Sequence, residues 1–204
     1  MLACRSSMMA IKKMDPIERF AEWFEAAKQS EPGLPEAMSL ATVGSDMMPQ
    51  VRQVLLKDFG NNGFVFYTNL ESDKGKQLTE NAQAALCLYW KSMNRSVRIN
   101  GPVELVSDAE ADEYFASRAR DSQLGAWASK QSRKLEKWME LEKRVARYGL
   151  QFGIGKVPRP DFWSGYRVIP ARIEFWEQKP FRLHKRVCYV RNDDGGWDIG
   201  RLYP

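Results

Sequence analysis

Histidine is all but missing from this 204-residue sequence, where His184 stands alone, and cysteine is scarce: Cys4, Cys87 and Cys188 lie far apart with no CxxC between them. So few ligands assemble neither a zinc site nor a disulfide framework, so no metal is expected, and unpaired thiols fit a reducing cytoplasm. Charges interrupt every hydrophobic stretch well short of the roughly 20 residues that cross a bilayer, which excludes a membrane-spanning helix. A glycine-rich phosphate loop is missing too. No GxGxxG follows a strand-like run and no GxxxxGK[ST] occurs, so a nucleotide bound here would be held by side chains and strand edges. Runs of one charge sign are absent, the 31 basic residues being dispersed among 26 acidic ones. The net charge of +5 suits small phosphorylated ligands as well as a polyanion. The aromatic and basic interleaving of an open nucleic-acid groove is not found.

What is present describes a folded chain: 44% hydrophobic and 28% charged residues, at a length that suits one domain. We take residues 15–204 as that domain and residues 1–14, which carry Arg5, Lys12 and Lys13 but no acid, as a mobile arm. Asp15-Pro16-Ile17-Glu18 combines an N-cap acid, a proline at the first helical position and a capping-box glutamate, opening a helix to about Gln29. Ala37–Val43 and Gln50–Lys57 have the composition of a hairpin, Asp58–Gly63 of a turn, and Phe64–Thr68 of a third strand. Beyond a short helix over Ser72–Asn81, strands are expected at Ala84–Trp90 and Arg95–Leu105, the latter interrupted by Gly101-Pro102, which suggests a bulge or an edge. Ser107 caps a helix through Phe115, a longer amphipathic helix carries Leu135 to Val145, and Tyr166–Trp176, Arg182–Val190 and Trp197–Leu202 are strand-like. Short strands joined by turns, with helices inserted between them, predict an α+β fold, mainly antiparallel β: a barrel with peripheral helices.

The most informative segment is Ile173-Glu174-Phe175-Trp176, followed after five residues by Arg182-Leu183-His184-Lys185-Arg186. On a regular strand Arg182, His184 and Arg186 share one face, and three such groups repel one another unless an anionic or electron-rich ligand lies among them. A solvated basic edge strand would show the same spacing. The stretch IEFW…RLHKR resembles the C-terminal signature of the pyridoxamine 5′-phosphate oxidase family, and RQVLLK, FYTNL, SRARDSQLGAWASKQS and PDFWSGYRV resemble its other blocks in the same order, from about Asp15 to Pro204.

The resemblance implies an FMN-binding split β-barrel. It also implies a homodimer with FMN at the subunit interface, and oxidation of pyridoxine or pyridoxamine 5′-phosphate by O2. Around FMN it sets Arg52, Gln53, Val54, Leu55, Leu56, Lys57, Tyr67, Thr68, Lys74, Ser96, Gln131, Ser132, Trp176 and Arg186. It assigns the substrate phosphate to Lys57, Tyr114, Arg118 and Ser122, and the pyridine ring to Arg182, Leu183 and His184, with Arg182 and His184 as the catalytic pair. Tyr114, Arg118 and Ser122 would share one face if a helix ran through them.

Three positions depart from the family pattern: Asp73 where a basic residue is usual, Ser96 where a glutamine is usual, and Lys185 where an acid is usual. These leave a flavin-binding split barrel with little or no turnover as the alternative. Arg52 and Lys57 also pose a problem, because their odd spacing sends them to opposite faces of a regular strand.

Overall fold

A computed structural model describes residues 14–204, so all of the expected arm except Met14 lies outside the described residues. The chain opens with α1 (Pro16–Ser30), where the Asp15 carboxylate accepts from the Ile17 N–H at 2.7 Å. Phe20 and Phe24, one turn apart, insert into an aromatic cluster with Phe59, Phe64 and Trp90. The indole of Trp90 donates to the Pro35 carbonyl at 2.8 Å. The buried face of α1, Phe20, Phe24 and Ala27, joins the main hydrophobic core with residues of the sheet.

The strands are β1 (Ala37–Val43), β2 (Pro49–Leu55), β3 (Asp58–Gly60), β4 (Gly63–Asn69), β5 (Gln83–Trp90), β6 (Arg95–Leu105), β7 (Trp163–Val168), β8 (Arg172–Glu177), β9 (Lys185–Arg191) and β10 (Trp197–Arg201). All their pairings are antiparallel, in the order β10-β9-β8-β6-β5-β1-β2, with β7, β4 and β3 continuing from β6. β6 is the hinge of this arrangement. Its first half, Arg95 to Asn100, pairs with β8, and its last residues, Val103 to Leu105, pair with β7. Gly101 sits at the change-over, where a Cβ would collide with the Ile169 carbonyl. The expected bulge is thus a change of partner, made possible by a residue without a side chain.

Five helices among the described residues flank the sheet: α1, α2 (Asp73–Glu80), α3 (Asp108–Ser117), α4 (Arg120–Ala128) and α5 (Trp138–Phe152). A second core of Phe115, Leu124, Val157 and Trp163 holds α3 and α4 against β7, and Tyr148 and Phe152 of α5 pack on its edge.

Four expectations need correction. Asp58–Gly60 is not turn but a short strand paired with β4, so the turn shrinks to Asn61-Asn62. Tyr166–Trp176 is two strands, β7 and β8, parted at Ile169–Ala171, where Pro170 cannot donate to a ladder. No single helix runs through Tyr114, Arg118 and Ser122: Arg118 is extended (ψ 148°) and α4 restarts after Ala119. The break is stabilised by Gln123, whose amide donates to the carbonyls of Phe115 and Ala116 at 2.9 and 3.3 Å, satisfying the open end of α3. Finally, Arg182 and His184 are not on a strand. Pro180–Arg182 forms a 3-10 turn in which Phe181 and Arg182 take positive φ, and β9 begins only at Lys185.

Candidate functional site

A cavity of about 490 Å³ opens between the β2 end, β4, β7 and the α3–α4 pair. Gln53, Val54, Leu55, Lys57, Tyr67, Thr68, Lys74 and Gln131 line it together with Tyr114, Arg118 and Ser122. Eight of the fourteen expected cofactor residues and all four expected phosphate ligands, Lys57 among them, therefore face one space. β2 ends at Leu55, so Lys57 lies beyond the strand, its N–H donating to the Val65 carbonyl at 2.8 Å. That strand end frees Lys57 from the alternation that would set it opposite Arg52, and of the two only Lys57 lines the cavity.

The cavity floor is aromatic. Tyr67 stacks on Tyr114 at 4.0 Å and on Trp163 at 5.3 Å with ring planes within 8°. Tyr67 lies flat because its neighbour across the ladder is Gly165, where a Cβ would come within 2.8 Å of the ring. Burial, then the nearby charges of Glu110 and Tyr114, pushes the Tyr67 phenol up to about 12, so it stays a neutral donor.

Arg118 is the most telling group here. Its guanidinium lies over Phe115 (5.6 Å) and Trp163 (4.8 Å), and burial lowers its pKa. Its Nη1 is buried without a hydrogen-bond partner, and it is the one such side-chain nitrogen or oxygen among the described residues. A buried donor left unpaired costs about 1–3 kcal/mol, more when charged, so the geometry is that of a cation awaiting an anion.

At the other end of the cavity two cations stand close together. The Lys74 amine is buried, held by Gln131 Oε1 at 3.0 Å and Ser72 Oγ at 3.3 Å, and burial, then the Arg52 charge, lowers its pKa. Thr68 Oγ1 donates to the same Gln131 oxygen at 3.1 Å, while Ser132 Oγ accepts from the Asp73 N–H at 3.2 Å. Arg52 lies beside the cavity rather than on its lining, with its pKa lowered by burial. Leu56 turns away into the main core.

Ser96, Trp176 and Arg186 are elsewhere. They line a second cavity of about 510 Å³ on the outer face of the sheet with Cys87, Tyr89, Arg98 and Glu174. Glu174, only 2% exposed, takes Arg98 at 2.5 Å, Arg186 at 2.8 Å and Arg172 at 3.4 Å. Burial pushes its carboxyl up, but the hydrogen bonds and charges of Arg186 and Arg98 outweigh this and leave it below the usual carboxylate range. His184 packs on Trp176 at 4.7 Å and its Nδ1 accepts from the Lys179 N–H at 3.3 Å. Arg182 and Leu183 stand exposed on the preceding turn.

Sequence reasoning missed Trp163, Asn69, Gly125, Ala126 and Ser129 on the first cavity and Cys87, Tyr89, Arg98 and Glu174 on the second. Trp163 and Glu174 sit inside motifs that were quoted, but no spacing marks one as a platform or the other as a clamp.

Comparison with known proteins bears on these two cavities. Residues 24–152 match a family model described as pyridoxamine 5′-phosphate oxidase, and residues 163–204 match a pyridoxine 5′-phosphate oxidase C-terminal dimerisation region. The chain is 56% identical over 191 residues to pyridoxine/pyridoxamine 5′-phosphate oxidases of Brucella canis and Brucella suis, covering 93% of this chain and 94% of each relative. Among solved structures it is similar to PhzG from Burkholderia lata, in complex with tetrahydrophenazine-1-carboxylic acid (TM-score 0.86, 30% identity, 93% of each chain). A pyridoxamine 5′-phosphate oxidase-related, FMN-binding protein from Nostoc punctiforme shares the fold at 16% identity (TM-score 0.76, 94% of this chain and 99% of that one).

Proposed function

The chain belongs to the pyridoxamine 5′-phosphate oxidase family and is an FMN-dependent oxidoreductase with a split-barrel fold, and on that premise we propose that it oxidises pyridoxamine or pyridoxine 5′-phosphate with O2 to pyridoxal 5′-phosphate, releasing hydrogen peroxide. The observation that carries the substrate class is the buried, unpartnered Nη1 of Arg118 in a cavity shared with Lys57, Tyr114 and Ser122. Those groups have the chemistry of a phosphate receptor.

The residues fit FMN. Arg52 and Lys74 are desolvated cations near the N-terminus of α2, and with Thr68, Gln131 and Ser132 they suit a phosphate of charge near −2. Val54 and Leu55 offer an apolar edge for the ring. Held by these residues, FMN would supply the two-electron redox chemistry. The protein binds and orients: Arg118 and Lys57 fix the phosphate, Arg182 holds the pyridine ring, and His184 hydrogen-bonds near the reacting substituent and manages its proton.

Ser96, Trp176 and Arg186 line a different cavity from Lys74 and Gln131. This supports a site completed by two copies of the chain, each giving one half, as does the match of residues 163–204 to a dimerisation region. Residues 15–204 form one domain in this reading, supported by a sheet that runs from β1 to β10, and the described helices include none long and apolar enough to cross a membrane.

Purified protein should be yellow, and adding pyridoxamine 5′-phosphate without oxygen should bleach it, with colour returning in air. A yellow protein that does not bleach would point to flavin binding without turnover, and a colourless one that takes up no FMN would overturn the proposal.

A further inference from the structure

The phosphate end of the proposed flavin site depends on Arg52, and the structure holds that side chain in an unusual way. Its Nη1 donates to Thr42 Oγ1 and, at 3.3 Å, to the Leu40 carbonyl, while its Nη2 donates to Gln77 Oε1 at 3.2 Å. Thr42 Oγ1 in turn donates to Gln77 Oε1 at 2.6 Å. Thr42 and Gln77 are both more than nine-tenths buried, at 2% and 8% exposure. Each of these acceptors is an uncharged oxygen. Among the described residues Arg52 makes no ion pair, although the guanidinium fork is well matched to a carboxylate.

Lys74 is treated alike, held by Gln131 and Ser72 and by no acid within bonding distance. A carboxylate in place of either glutamine would orient the cation equally well but cancel its charge. An amide oxygen orients it and leaves the charge to be used.

We infer that Gln77 and Thr42 are positioning residues, which aim Arg52 through neutral oxygens so that its whole charge is available to the FMN phosphate. The inference rests on the reading that Arg52 and Lys74 receive that phosphate. A purely structural role, tying β1 and β2 to α2, would be served as well or better by a carboxylate at position 77.

Apo-protein titrated with FMN and with riboflavin, which lacks the phosphate, separates the two by quenching of flavin fluorescence. Gln77→Glu should weaken FMN by roughly tenfold or more, the scale of one charged hydrogen bond, with riboflavin affinity held and no fall in melting temperature. Thr42→Val should weaken FMN in the same selective way, and Thr42→Ser, which keeps the hydroxyl, should restore it. In an Arg52→Ala background Thr42→Val should not weaken FMN further, and Gln77→Glu should weaken it less than in wild type, keeping only the direct repulsion of its carboxylate. FMN affinity unchanged in Gln77→Glu, or riboflavin affinity falling in step with it, overturns the positioning role while leaving the proposed function standing. A wild-type protein that binds neither flavin overturns both.

Discussion

The guanidinium of Arg118 lies 4.8 Å over the indole of Trp163, with one terminal nitrogen buried and bonded to nothing. The ring holds the cation without using its donors, and the residue lines the cavity. Arg118→Ala should therefore raise KM for phosphorylated substrates by an amount equivalent to roughly 1.5–3 kcal/mol. Steady-state kinetics with pyridoxamine 5′-phosphate check this, and an unchanged KM removes Arg118 from the phosphate site.

His184 and Arg186 should separate in their effects. His184 rests on Trp176 next to an exposed turn, so His184→Ala should lower kcat more than it weakens FMN and should leave the melting temperature nearly intact. Arg186→Ala should weaken FMN more than it lowers kcat, and it should also cost stability because it strips one partner from buried Glu174. Calorimetry alongside kinetics tests the pair, and variants that behave alike would show that the two residues share one role.

Glu174 sets an acid limit. Its folded pKa is depressed, so its contribution to stability is complete above the ordinary carboxylate value of 4.5 and is lost as pH falls through the lower folded value. At pH 7, Glu174→Gln leaves three guanidinium groups around a neutral amide and should destabilise apo-protein by roughly 3–5 kcal/mol. Denaturant midpoints should converge for the two proteins in acid. Curves that stay parallel down to about pH 2 would show that Glu174 is not the group being titrated.

Asp73, next to Lys74 in the first turn of α2, is exposed; burial lowers the pKa of both Arg52 and Lys74, and the Asp73 charge offsets part of that lowering. The same field opposes a phosphate, so Asp73→Arg should tighten FMN by roughly threefold or more, the gain shrinking as salt rises. The helix dipole works against the change, since a basic residue is unwelcome in the first turn. FMN titrations at low and high salt decide the balance, and affinity equal or weaker at both sets Asp73 outside the phosphate's reach.

Sedimentation at micromolar protein should give a dimer. Val51, Tyr89 and Val190 lie exposed on the sheet whose outer face carries the second cavity, an apolar surface suited to a partner. A flavin-loaded monomer would contradict a site completed by two copies.

Strands were readable where one face is buried: β1 alternates residue by residue, and its bounds, Ala37–Val43, are those the sequence pattern suggests. Helix α1 was equally plain because its cap and proline are local signals. Long-range devices were not legible. The α3–α4 break has no glycine or proline at Arg118-Ala119, being held by an amide five residues further on. The turn at Phe181-Arg182 is invisible too, since two adjacent non-glycine residues at positive φ run against local preference. Roles at the site came through the motif resemblance, because single residues such as Lys74 or Trp176 read equally well as surface charge or core.

Gly165 carries a consequence of another kind. With no atom beyond its backbone, it lets the Tyr67 ring lie against β7, with Tyr114 stacked on it at 4.0 Å. Even a methyl group there would push the Tyr67 ring off the strand and disturb its stack with Tyr114 and Trp163. Position 165 is thus a depth gauge: in a saturation library it should tolerate nothing else and resemble a ligand-binding position, although it has no group with which to hold a ligand.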